Sequence, residues 1–411
     1  MWINEHSNYI AEYRVHIIIK RHILNTKYRH YLVFKMTGNQ LIVSMLVGNY
    51  NFETNIESFS ISNSLSTLPS TFSARFYLEH PVDFRGSSVV IKLNGSVAFK
   101  GVVNWMRISR STESNVYEMG GRSLLWNMFD CSVQNLPGSF QFFSLEQLAN
   151  TLCSPYNITV SSDGVSSTTS SPSGLTANLS FGSSPYNEIM KWSGFFGKIL
   201  VDNLGTLQIT DVNTTSTPID LNVHNIKDAE IEMHNDNLFN VIDVSQVVNG
   251  IGVTGEKAFY GSASMTYQPN GYLTPISGNV SRVKYIYNDS NYTSAKPGTQ
   301  ITDGQYQSFS QNYAQWVLNR SMGESQVLRV VVPSAFCDSA QTSLWAVNSL
   351  VNVNLPDLLT NNQTLLVESI DFSYSFVSGS NTTLSLMQSS AFEPQPSPGY
   401  QGASLYVNVS N

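Results

Sequence analysis

The sequence predicts a mainly β protein with α+β insertions, and three observations carry that reading. Apolar residues alternate with polar ones at period two, as in Phe72-Ser73-Ala74-Arg75-Phe76-Tyr77-Leu78, where Phe72, Ala74, Phe76 and Leu78 share a face. A tight-turn pair, Asn94-Gly95, separates the apolar runs Val89 to Leu93 and Val97 to Val103. Such a pair between two runs marks a β-hairpin, because both central residues need φ > 0. Charged residues make up only 12% of the 411, about half the ordinary share of roughly 25%. Ser, Thr and Asn take their place, which suits strands whose polar faces carry hydroxyls and amides.

Strands are expected from Gln40 to Val47, Phe52 to Ile61 and Phe72 to Leu78. The two arms of the hairpin, Trp105 to Ile108 and Val116 to Met119 follow. Several short strands with turns between them predict a small antiparallel barrel or sandwich. The character changes after Arg122. Ser144 with Gln147 reads as a capping box, and Leu145, Leu148, Ala149 and Leu152 mark one helical face until Pro155. Ser161 to Ser173 is rich in Ser and Thr and reads as a mobile loop. Ser184-Pro185 opens a second helix with Tyr186, Ile189, Met190 and Trp192 on its apolar side. Asn203-Leu204-Gly205 then joins two strands as a second hairpin, which completes a small α+β unit.

Strand signals return at Ala229 to Met233 and Val241 to Val248. Gly250 to Gln305 reads as short strands and long loops. A helix fits Ser308 to Met322, with Tyr313, Trp316, Val317 and Arg320 on one side. Strands are expected at Val327 to Val332, Trp345 to Val353, Thr364 to Phe376 and Thr382 to Met387. The proline-bearing tail from Glu393 is expected to be extended. The domains are therefore 36–126, a first β unit; 127–220, an α+β middle domain; 221–392, a second β unit with an inserted loop-rich region; and 393–411, an extended tail.

Residues 1–35 differ from the rest. They hold six of the 22 basic residues and four of the seven histidines, a net +4 in a chain whose total is −7. They read as an atypical basic segment, either a targeting or nucleic-acid-binding arm or an upstream start wrongly included before Met36. The second reading is preferred, because neither a small-residue cleavage site nor a clean amphipathic period is present. Cys131, Cys153 and Cys337 cannot all pair and lack metal-ligand spacing, so they read as buried free thiols. No apolar run approaches the ~20 residues of a bilayer-spanning helix, and no stable membrane insertion is expected.

No catalytic signature is present: neither a nucleophile elbow, a phosphate loop, a zincin motif nor a dinucleotide fingerprint. His234 lies near Glu232 and Asp236, a grouping that could suggest a metal or acid/base site, but a solvated polar strand face is the preferred reading. His80 sits beside Pro81 in an expected turn. Glu146 and Glu188 lie near helix starts, where a carboxylate favours the helix dipole, and not as a facing glycosidase pair. No catalytic, cofactor-binding or metal-ligating residue is assigned, and no cofactor is expected. The acidic body lacks a basic stripe, which disfavours gripping of nucleic acid. A channel that passes DNA without sticking would benefit from such neutrality.

One ordered set of short runs is familiar. The Asn94-Gly95 hairpin is followed by Gly121-Arg122-Ser123-Leu124, Asp130-Cys131-Ser132, Leu145-Glu146-Gln147-Leu148-Ala149 and Leu152-Cys153. Later come Ser184 to Ile209, Asn225-Ile226 with Asp236, Phe239-Asn240-Val241, Trp316 to Arg320, Val330 to Pro333, Leu344-Trp345 and Val351-Asn352-Val353. In order and spacing, over roughly 36–392, this resembles the Mu-like phage baseplate hub protein family. The resemblance implies two β-barrel-like domains related to a tail-tube fold, with a small α+β domain between them. It implies a homotrimeric ring whose six similar units meet the tail tube protein on one side and the central spike protein on the other. Other baseplate proteins would be neighbours, DNA would pass through the channel, and the protein would sit in the virion tail baseplate after assembly in the bacterial cytoplasm. Many aromatics with little charge fit an interface-rich part. Two other classes stand beside this one: a tail-associated enzyme that degrades cell wall or glycan, and a secreted carbohydrate-binding β-protein. The first lacks a catalytic pair, and the second rests on Tyr, Trp and Asn abundance alone.

Overall fold

The computed structural model describes residues 41–52, 56–78, 80–110, 115–134, 138–163, 175–179, 182–222, 225–234, 238–248, 257–264, 282–288, 303–358 and 360–396. The segment 1–35, most of the loop 161–173, most of 250–305, His224, Asp236 and the end of the tail lie outside them.

Period-two alternation builds the first strands: β1 (Val43–Val47), β2 (Tyr50–Phe52), β3 (Ile56–Ser64), β4 (Thr71–Leu78), β5 (Ser88–Leu93), β6 (Ser96–Arg110) and β7 (Asn115–Ser123). They pair antiparallel in the order β3-β4-β7-β6-β5-β1-β2. Asn94 (φ 48) and Gly95 (φ 88) form the turn between β5 and β6. The runs expected before and after Asn104 are one 15-residue strand, β6. A bulge between Val103 and Trp105 interrupts the alternation without ending the strand. Conversely, the run expected from Phe52 to Ile61 divides into β2 and β3. The buried face is aromatic: Phe52, Phe72, Phe76, Phe84, Phe99 and Tyr117 are all buried, and Phe76 stacks on Tyr117 with centroids 5.3 Å apart.

Next come α1 (Asn127–Asp130), β8 (Ser139–Phe142), α2 (Leu145–Cys153), β9 (Val160–Ser162), β10 (Leu175–Asn178), α3 (Pro185–Phe195), β11 (Ile199–Asn203) and β12 (Thr206–Thr210). Ser144 caps α2 by accepting from the Gln147 N–H at 3.0 Å. The Gln147 side chain accepts from the Phe143 N–H at 2.8 Å, one residue earlier than a strict capping box requires. Ser184 caps α3 with Pro185 behind it. Leu145, Leu148, Leu152, Ile189, Leu207 and Ile209 share one core. Met190, expected on that side, is 43% exposed, so Tyr186, Ile189 and Trp192 carry the contact. The three thiols are free, but only Cys153 is fully buried, and burial pushes its pKa up to about 12.

The last part holds β13 (Ile219–Asn222), β14 (Asp228–Met233), β15 (Val241–Val248), β16 (Lys257–Ser264), β17 (Val283–Asn288), α4 (Asp303–Glu324), β18 (Gln326–Val332), β19 (Leu350–Leu355), β20 (Thr360–Ser375) and β21 (Gly379–Met387). β15, β16 and β17 form a separate sheet. Ala314 and Leu318 of α4 pack on Ile242, Val244 and Ala263 of that sheet. The expected single apolar side of α4 divides in two. Tyr313 and Val317 join this core, whereas Trp316 donates its indole N–H to the Glu393 carbonyl at 2.7 Å. The strand expected from Trp345 begins only at Leu350, after Asn348 takes φ 62.

The pairings show an internal duplication. Within the first set, β3 pairs β4, β4 pairs β7, β7 pairs β6, β6 pairs β5 and β5 pairs β1. Within the last set, β14 pairs β18, β18 pairs β21, β21 pairs β20, β20 pairs β19 and β19 pairs β13. Chain order matches throughout, so β1, β3, β4, β5, β6 and β7 correspond to β13, β14, β18, β19, β20 and β21. One pair differs in direction: β1–β5 is antiparallel and β13–β19 parallel. Both long strands carry a bulge at the equivalent place, Val103/Trp105 in β6 and Val367/Ser369 in β20. The bonds before the bulge also repeat. The N–H groups of Gly86 and Asn348 donate to the carbonyls of Val103 and Val367, at 2.8 and 2.9 Å. Both donors are left-handed, at φ 78 and φ 62.

β20 also pairs β3, in a register running from Ser369↔Ser64 to Ser375↔Ser58. That joint fuses the two halves into one 13-stranded sheet with β14 and β2 at the ends of its main path. Among the described residues the sheet does not close into a barrel.

Candidate functional site

Each half buries one side of the fused sheet and leaves the other to solvent. Directly paired residues share a face, so the register gives rows that run across many strands. One row reads Asn381, Ser373, Ser60, Ser73, Gly120 and Trp105; the next reads Gly379, Ser375, Ser58, Arg75, Glu118 and Arg107. A third runs Asp228, Val331, Thr383, Asp371, Ser62, Thr71 and Arg122. The result is a long face of hydroxyls and short amides, spanning the joint between the halves.

Its polar groups are tied to one another. Ser60 and Ser73 share a hydrogen bond of 2.8 Å, Ser64 donates to Glu368 at 2.7 Å, and Ser62 donates to Asp371. Four arginines on the face pair with carboxylates: Arg75 with Glu57 at 3.1 Å, Arg107 with Glu118 at 3.8 Å, Arg122 with Asp130, and Arg329 with Glu232 at 2.7 Å. These cations are already partnered, and Asp228, Glu368 and Asp371 add further carboxylates, so the face carries no surplus of positive charge. Around Trp105, which lies over Gly120, a shallow groove of about 420 Å³ is lined by Ser58, Ser60, Ser73, Arg75 and Glu118.

The residues weighed for chemistry do not converge. His234 donates to or accepts from Glu232 at 2.7 Å. The His234 ring, then Arg329, hold the Glu232 carboxyl below the usual range. Asp236 lies outside the described residues. Among the described residues, no three His, Cys, Asp or Glu side chains stand together as a metal site. Glu188 is buried and held by the Ser183 hydroxyl at 2.6 Å and Lys191 at 2.9 Å, while Glu146 belongs to the first turn of α2. His80 contributes its carbonyl to the Tyr117 hydroxyl at 3.0 Å. Arg122 and Asp130 form a two-pronged pair where β7 leads into α1, and Arg122 also lies over the Trp126 ring at 5.5 Å. That pair holds the Asp130 carboxyl below its ordinary range. The polar face was not singled out from sequence. Its signal was the serine alternation in 58–64 and 369–375, which becomes one surface only through pairing between segments some 300 residues apart.

No protein-family model matches the chain, and no curated protein matches it. Solved structures do. The 43 kDa tail protein of prophage MuSo2 from Shewanella oneidensis superposes with a TM-score of 0.68 at 18% identity, covering 86% of this chain and 99% of that one. This chain has the fold of the Mu-like prophage tail proteins. A tail protein from Neisseria meningitidis MC58 gives a TM-score of 0.66 at 17% identity, covering 87% and 99%. The E. coli c3393 protein, described as a type VI secretion component structurally similar to T4 tail proteins gp27 and gp5, gives 0.50 at 9% identity, covering 87% and 80%. The same fold is therefore reached with few shared residues.

Proposed function

We propose that this chain is the baseplate hub of a contractile phage tail. Three copies form a ring that joins the tail tube to the central spike, and DNA passes through it during infection. The observation that carries this reading is the duplicated sheet with one hydroxyl-rich face that has no surplus of positive charge, in a chain with the fold of prophage tail proteins. Two similar β units per chain, within 36–126 and 221–392, give six in a ring of three. Six similar units can meet a six-fold tube on one side and leave the three-fold for a spike on the other. The middle domain, 127–220, lies between them in sequence. The polar face lines the channel in this reading. Its arginines are held by carboxylates, so phosphates find few free cations, and the salt-dependent grip that slows DNA does not develop. The protein's work is assembly and gating in the virion tail baseplate, and it breaks no bond.

The test is co-expression of the full chain with candidate tube and spike proteins of a contractile tail. The hub reading expects one complex that contains all three and appears as a ring by electron microscopy. A stable monomer that binds neither protein, or one that clears peptidoglycan, would sink it.

A further inference from the structure

The duplication leaves two edges unmatched. Within the chain, β20 beyond its bulge pairs β3. The equivalents of those two strands are β6 beyond its bulge and β14. Among the described residues neither has that pairing. β5 accompanies β6 only as far as Val102, and β14 pairs only with β18. We propose that these two edges meet between copies of this chain: β14 of one copy pairs antiparallel with Trp105 to Arg110 of the next. The register is the one that β3 and β20 keep inside the chain. The inference rests on the hub reading and names the contact that builds its ring.

The register can be carried over residue by residue, because both halves keep the same pairing from strand to strand. Ile61 is equivalent to Ile231, through Phe72 and Leu328. Phe372 is equivalent to Ile108, since each lies three positions past the first paired residue after its bulge. The internal pair Phe372↔Ile61 therefore becomes Ile108 opposite Ile231. On either side, Arg107 then faces Glu232 and Ser109 faces Glu230, while Met106 faces Met233.

The chemistry of the two edges suits this meeting. On one face β14 offers Glu230 and Glu232, where the β6 edge offers Arg107; Arg110 falls on the other face, opposite Ala229. On the opposite, core-side face, Ile108 is 44% exposed and Met233 51% exposed. These are large apolar side chains at open sheet edges, where an uncovered apolar strand invites pairing. Opposite charge on one face with apolar contact on the other stabilises one register over its one-residue slip, which would reverse both faces. The contact joins different surfaces of the two copies, so it is head-to-tail and builds a ring if the rotation closes.

The test places cysteines at facing positions of the full chain. Residues directly opposite in an antiparallel pair lie ~4.5–5.5 Å apart at Cα, within disulfide range. Ser109→Cys combined with Glu230→Cys should, on mild oxidation, give covalent dimers and trimers. Each single variant, and the off-register combination of Ser109→Cys with His234→Cys, should give neither. In parallel, Arg107→Glu should weaken self-association by roughly threefold or more, and adding Glu232→Arg should restore it. A ring that forms without the in-register cross-link, or that cross-links equally off register, overturns the edge pairing and leaves the hub reading standing. A chain that stays monomeric at every concentration overturns both.

Discussion

The two halves of the large sheet reach one topology with different cores. The first is aromatic, built on Phe52, Phe72, Phe76, Phe84, Phe99 and Tyr117. The second is aliphatic, built on Leu328, Val330, Val351, Val353, Leu365 and Leu384. Equivalent positions exchange bulk across neighbouring strands. Where β7 has Gly121 beneath Phe72, β21 has Leu386 beside Leu328. What is held in common is the alternation, the bulge in the long strand and the left-handed residue before it. Pattern and backbone geometry thus specify this architecture, and the core residues fill it to density in each half separately.

Moving residues from one half to the other breaks this comparison most sharply. Gly121→Leu copies Leu386, but a Cβ at Gly121 would lie 1.9 Å from the Val102 carbonyl oxygen and 2.8 Å from the Phe72 ring. Backbone must move, so we expect a loss of about 3 kcal/mol or more in urea unfolding, with failure to fold as the extreme. Unchanged stability would mean that the halves are interchangeable.

Phe76→Val copies Val332. Phe76 is fully buried among Phe52, Phe84 and Tyr117, and the smaller side chain leaves a cavity worth about 2–4 kcal/mol. A loss under about 1 kcal/mol would show that the aromatic cluster is loosely packed.

Asp130→Ala removes the pair with Arg122, which has no counterpart in the second half. The Asp130 side chain is 44% exposed, so solvent screening limits the cost to about 1 kcal/mol or less. The sign with pH follows from the lowered pKa. The stabilisation is present above the unfolded carboxyl's pKa near ~4 and disappears as pH falls through the lower folded value. The wild-type advantage over the variant should therefore shrink in acid. An advantage that grows in acid would contradict the pairing.

Gly86→Asn copies Asn348 and should be the mildest change. The site is open, with nothing within 4 Å of an added Cβ, and Asn tolerates the left-handed region. We expect a shift of less than about 1 kcal/mol, against a clearly larger loss for Gly86→Val.

Much of the local structure was legible in sequence. Asn94-Gly95 announced its hairpin, Ser144 and Ser184 their helices, and Phe72 to Leu78 its buried face. Errors of detail arose where a backbone irregularity overrides the pattern: the β6 bulge, which split one strand in two, and Asn348, which delays β19. The duplication was implied by the family likeness but not by a residue-level repeat, because Phe in one half answers Leu or Val in the other. The polar face was hidden for another reason. Ser60 and Ser373 look like ordinary solvent-side serines until long-range pairing sets them side by side. Family likeness in the order of short runs pointed to the tail-protein fold that the superposition then gave.

The most direct test of the account is the mass of the full chain in solution, measured by light scattering over a range of concentrations. The account predicts a particle of three copies of the 45.6 kDa chain, formed with the tube and spike proteins absent or present. A particle of one copy at every concentration, even with both proteins supplied, would contradict it.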